Sequence, residues 1–138
     1  MIKKVILCLL LVFTIACEKK NEDSVIKLGT SPDYPPFETK KDGEVIGFDI
    51  DLVKAIAKEL NMKLEICELD FNSLIPALQS GKVDFIASGL TLTPERLANV
   101  DFSHVYYQTS IAGIAKDGTN IENLSDKKIG VQLGSIME

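Results

Sequence analysis

Cysteine is scarce, with three residues in 138, and two of them, Cys8 and Cys17, fall at the N-terminal end. Cys67 is then the one thiol of the folded part, so an intramolecular disulfide is excluded on number alone. It lies in an alternating run with Leu64 and Ile66 and reads as a small buried hydrophobe. Histidine occurs once, and His104 has no Cys or His at ligand spacing, so neither a metal centre nor a bound cofactor is expected. Basic charge is also in deficit: 15 Lys and Arg stand against 20 Asp and Glu. A phosphate backbone needs a basic face, and the lysines here are interspersed with acids, so nucleic acid is not an expected partner. The longest apolar run, Val5 to Ala16, is too short to span a bilayer comfortably.

That run follows Lys3 and Lys4 and ends at Ala16-Cys17, after which charge begins at once with Glu18, Lys19 and Lys20. The pattern reads as an export signal over residues 1–16, with Cys17 as the first mature residue. It resembles a bacterial lipoprotein leader, which implies acylation of Cys17 and a tether to a membrane surface. An ordinary cleaved signal peptide with a coincidental cysteine is the alternative. Cleavage would leave 13 basic against 20 acidic side chains, a net charge of −7. Residues 17–24 form a polar linker.

Strands are expected at Val25 to Gly29, Leu64 to Leu69 and Val83 to Ala87. Helices are expected from Asp49 to Leu60, where Ile50, Val53, Ile56, Ala57 and Leu60 recur at helical spacing, and from Ser73 to a stop at Gly81. Three prolines keep Thr30 to Phe37 a loop, and Lys41-Asp42-Gly43-Glu44 reads as a turn. This alternation is the grammar of a parallel sheet with right-handed crossovers, whose ligands sit beyond the carboxyl ends of the strands. Further strands are expected at Ile111 to Ala115 and Lys128 to Gln132.

Ser88-Gly89-Leu90-Thr91-Leu92-Thr93-Pro94-Glu95-Arg96 follows the third of these strands. Thr93 is a helix cap with Pro94 in the first turn. Exposed amides there favour an anion, and the planar Arg96 fork matches two carboxylate oxygens. A small carboxylated ligand is the expectation. Asp49 and Asp51 read as helix-start acids rather than a catalytic pair, and Phe37 and Phe48 as packing.

Residues 25–138 resemble the family 3 extracellular solute-binding proteins, amino-acid receptors of bacterial ABC importers. The resemblance is carried by Gly47-Phe48-Asp49-Ile50-Asp51-Leu52, by Gly29 to Glu38, by Leu74 to Leu78, by the 88–96 loop, by Asp101-Phe102-Ser103 and by Lys128 to Ser135. It implies a periplasmic-binding-protein-like α/β fold: two lobes with mixed, mainly parallel sheets, joined by a hinge and closing on a free amino acid. Residues 25–109 would be the first lobe and 110–138 the opening of a second, incomplete one, so the chain would be an N-terminal fragment binding amino acids weakly or not at all.

The same resemblance implies roles. Tyr34 covers the ligand side chain, Ser88 and the Gly89 carbonyl accept the α-ammonium, and Thr91 bonds the ligand's main-chain groups. Arg96 takes the α-carboxylate, with Ser135 and the Ile136 amide completing its site from the second lobe. Ser31 stands where relatives that bind basic side chains have aspartate, which points to a polar or small amino acid. The implied partners are that ligand and the importer's membrane subunits, with the receptor itself a monomer. No catalytic residue is expected. The rival readings are a periplasmic cyclohexadienyl dehydratase, and a sensor or lytic transglycosylase module using the same fold.

Overall fold

The computed structural model describes residues 24–120, 122 and 124–138. The leader at 1–16, Cys17 and the linker apart from Ser24 lie outside the described residues. Among the described residues, no helix is long and apolar enough to cross a membrane.

Among the described residues six strands and three helices follow one another: β1 (Val25–Thr30), β2 (Asp33–Tyr34), β3 (Glu38–Lys41), β4 (Glu44–Ile46), α1 (Phe48–Glu59), β5 (Lys63–Glu68), a 3₁₀ turn (Phe71–Ser73), α2 (Leu74–Gln79), β6 (Phe85–Ile86) and α3 (Pro94–Leu97). The central sheet has the order β5-β1-β6, with both pairs parallel. Alternation along β1 sends Leu28 into a cluster with Val45, Ile50, Val53 and Ala87 under α1. The next residue, Gly29, faces the other way, and a Cβ on it would lie 3.2 Å from Val83 and 3.4 Å from Leu74. Helices therefore cover both faces of the sheet, as parallel sheets require.

The punctuation residues act where the sequence places them. Asn61 takes a left-handed φ of 53° just past α1, and Met62 N donates to Ala57 O at 2.9 Å. Gly81, at φ 72°, follows α2. The Asp42-Gly43 turn joins β3 to β4, and β2-β3-β4 form a small antiparallel sheet that the proline-rich loop did not announce. The third expected strand is shorter than Val83 to Ala87. At its start the carboxylate of Asp84 takes the Lys27 amide at 2.7 Å, a side chain supplying what a ladder carbonyl would otherwise supply.

The strands expected at 111–115 and 128–132 do not form. Their apolar residues are exposed, Ile111, Ile114, Ile129 and Val131 among them. A strand is a shared ladder of hydrogen bonds, and among the described residues neither segment has one to join. Apolar alternation alone cannot supply the missing partner.

Candidate functional site

An open cleft of ≈ 1140 Å³ lies beyond the carboxyl end of β6, lined by the 88–92 loop, Arg96, the 102–112 segment and the 132–137 loop. It exceeds the volume of most enclosed small-molecule sites, as expected of an open trough rather than a closed pocket. Tyr34, Ser88, Gly89, Thr91, Arg96, Ser135 and Ile136 all line it, although they come from three separate stretches of chain.

Ser31 does not line it. Its side chain turns to Asp33 at 3.3 Å, and its amide donates to Ser88 Oγ at 2.9 Å. Ser31 thus braces the cleft floor from behind and lines a separate, shallower pocket with Glu68 and Asp70. The inference of a polar or small ligand, drawn from its missing carboxylate, has no side chain in the cleft to act through.

Arg96 is held on three sides. Its Nη1 donates to Thr91 O at 2.7 Å, its Nη2 donates to Gly134 O at 2.8 Å, and the guanidinium lies 5.6 Å from the centre of the Phe71 ring. Partial burial lowers its pKa and neighbouring Glu95 opposes that, yet a guanidinium stays charged throughout. Two of its five N–H groups are taken by carbonyls, so three remain for a carboxylate. The helix contributes less than expected. Thr93 does cap it, accepting Arg96 N at 3.2 Å, but α3 has only four residues and little aligned dipole to offer an anion. Any carboxylate grip here rests on the guanidinium.

The opposite wall is aromatic and acid-backed. Tyr34 stacks on Phe37 with ring centres 5.4 Å apart, and Tyr107 meets Phe37 edge-on at 4.9 Å. Gly89 has φ 52°, and a Cβ there would lie 2.9 Å from the Tyr34 ring, so the backbone comes against the aromatic wall only because the residue is glycine. Behind the loop, Gly89 N donates to Asp49 Oδ2 at 2.8 Å and Ser88 Oγ donates to Glu38 Oε1 at 3.1 Å. Tyr106 OH donates to the same Asp49 oxygen at 3.0 Å, and burial pushes that phenol well above its ordinary pKa.

Asp49, read from sequence as a helix-start acid, is therefore a fully buried acceptor for the loop. Its place in the Gly47-Phe48-Asp49 motif was a signal for this role. Phe71 and Tyr106 carried none, because their contacts join residues far apart in the chain. Cys67 is half-buried, burial raises its pKa, and it is a quiet thiol. His104 lines the cleft but is exposed. Among the described residues no group of three metal-ligating side chains occurs.

The 132–138 loop is tied to the rest of the structure through more than Arg96. Gln132 Nε2 donates to both carboxylate oxygens of Asp33 at 3.1 Å, and a Cβ on Gly134 would stand 3.0 Å from Asn72. Within the loop, Gly134 N donates to Glu138 and Met137 N to Ser135 Oγ.

The chain is similar to known proteins over most of its length. The arginine-binding extracellular protein ArtP of Bacillus subtilis is 46% identical over 131 residues, covering 89% of this chain and 51% of ArtP. A probable histidine-binding protein of Campylobacter jejuni is 41% identical over 127 residues, covering 89% of this chain and 50% of its own. Among solved structures, an ancestral arginine-binding protein bound to arginine superposes with a TM-score of 0.60 at 49% identity, over 61% of this chain and 38% of that one. The chain spans about half the length of the curated relatives it matches. The model of bacterial extracellular solute-binding proteins, family 3, matches residues 26–134, and the chain belongs to that family.

Proposed function

We propose that the full-length protein captures a basic amino acid, arginine foremost, outside the cytoplasmic membrane and delivers it to the membrane subunits of an ABC importer. The observation that carries this reading is the convergence of Arg96, Ser88, Gly89, Thr91 and Tyr34 on one cleft. Arg96 would take the α-carboxylate, the Ser88–Gly89 edge the α-ammonium, and the Tyr34 face the side chain. The arginine- and histidine-binding names of the relatives favour a basic ligand. The buried Ser31 side chain, turned to Asp33, gives no argument against a basic ligand.

Residues 25–109 are read as one lobe and 110–138 as the start of a second, with Ser135 and Ile136 as the second lobe's contribution. Closure would follow from ligand bridging the two, because a ligand shifts a conformational equilibrium only by its difference in affinity for the two states. The sequence of the leader supports export and a lipid tether at Cys17. That the relatives are arginine- and histidine-binding proteins favours a binder over an enzyme.

Calorimetry of the full-length protein against arginine, histidine, lysine, glutamine and alanine tests the reading. Tightest binding of arginine is expected. Preference for a neutral amino acid, or no binding to any of the five, would overturn it.

A further inference from the structure

The side chains of Glu38 on β3 and Asp49 on α1 are wholly buried behind the Ser88–Gly89 loop. One oxygen of each is well served: Glu38 Oε1 accepts from Ser88 Oγ, and Asp49 Oδ2 accepts from Gly89 N and Tyr106 OH. The other oxygen of each, Glu38 Oε2 and Asp49 Oδ1, is buried without a partner. The two side chains lie within hydrogen-bonding reach of each other. As two carboxylates they would repel and leave both oxygens unsatisfied. A single proton held between the two carboxyls removes the repulsion and gives the buried oxygens a shared hydrogen bond.

We propose that Glu38 and Asp49 share one proton and act as a positioning pair that sets the polarity of the ammonium side of the cleft. The consequence follows through Ser88. Its only proton goes to Glu38, and one lone pair takes the Ser31 amide at 2.9 Å, so the remaining lone pair can only accept. An ammonium N–H finds an acceptor there, while a ligand oxygen finds no donor. The pair also keeps one negative charge behind the loop, opposite in sign to Arg96 across the cleft. This inference rests on the reading of the cleft as an amino-acid site.

The surroundings favour retention of the proton. Asp49 on α1 and Asp33 on β2 are the charged groups acting on Glu38, and both are acids. Lys40, on the same strand, is engaged with Glu68 at 2.8 Å, and on β4 Glu44 stands opposite Lys41. The Ser88 hydroxyl pulls the other way without prevailing. Burial first, and the Asp49 charge second, push the Glu38 carboxyl up to about 8.

Infrared difference spectroscopy of the full-length protein between pH 5 and pH 10 tests the shared proton directly. A protonated-carboxyl C=O stretch should persist at pH 7, disappear above about 8, and be missing in Glu38→Gln. No such band at pH 7 would overturn the proposal, even if arginine binds. The band without any amino-acid binding would instead sink the reading of the cleft and leave the pair intact. For the positioning role, Glu38→Ala should weaken arginine binding roughly tenfold at pH 7. Glu38→Gln, whose amide offers Ser88 an acceptor and Asp49 a donor, should recover most of that loss. Equal affinities for the two variants would overturn the role.

Discussion

Replacing Gly47 with alanine should destabilise the protein more than any other single methyl group added to the Gly47-Phe48-Asp49 motif. Gly47 sits at φ 136°, and a Cβ built on it would lie 2.2 Å from Phe37 O, 2.6 Å from Phe37 C and 2.9 Å from Pro36 O. All three are backbone atoms, so no rotamer change relieves the overlap. The same two carbonyls accept the first amides of α1, Pro36 O from Phe48 N and Phe37 O from Asp49 N, each at 3.0 Å. Separation of the two segments therefore breaks both bonds. The disfavoured backbone conformation costs about 1–3 kcal/mol. Two lost hydrogen bonds add about 1 kcal/mol each, so a total of roughly 3–5 kcal/mol is expected. Against a typical stability of about 5–15 kcal/mol, that is a large share. Urea unfolding of wild type and Gly47→Ala, followed by circular dichroism with the slope compared, measures it. A loss under about 1 kcal/mol would refute the reasoning, because it would mean the overlap relaxes without cost.

Three further outcomes follow from the same geometry. Arg96→Lys should reduce arginine affinity by roughly tenfold to a hundredfold in calorimetry, since an ammonium with three donors and no planar fork cannot keep both carbonyls and also grip two carboxylate oxygens. Gly89→Ala should cost about 1–2 kcal/mol of stability from its left-handed φ, and should also weaken binding by pressing a methyl into Tyr34, which a paired denaturation and titration experiment would separate. Glu38 releases its proton near 4.5 when unfolded and near 8 when folded, so the folded state holds the extra proton between those values. Stability should therefore fall as pH rises through that window and level off above it. Glu38→Gln should flatten the slope, as thermal unfolding at a series of pH values would show.

Much of this fold was legible because its elements announce themselves locally. Ile50, Val53 and Ala57 repeat at helical spacing and are buried, and Asn61 and Gly81 stop their helices as left-handed residues do. The cleft loop was legible for a similar reason, as hydroxyls, glycine and arginine after a strand have few structural duties that explain them together. What escaped depends on distant partners. Glu38 to Lys41 has no apolar alternation, so β3 could not be read without β2 and β4 beside it. Asp49 looked like a dipole acid until Gly89 and Tyr106, 40 and 57 residues away, were found donating to it. Ile111 to Ala115 erred in the opposite direction: the local pattern is strand-like, but pattern does not pair a strand.

The most direct measurement is a crystal structure of the full-length protein grown with L-arginine. The account predicts the ligand carboxylate on the Arg96 guanidinium at about 2.7–2.9 Å, with the α-ammonium at Ser88 and the Gly89 carbonyl. A carboxylate bound elsewhere, with Arg96 still engaged only by Thr91 O and Gly134 O, would contradict it.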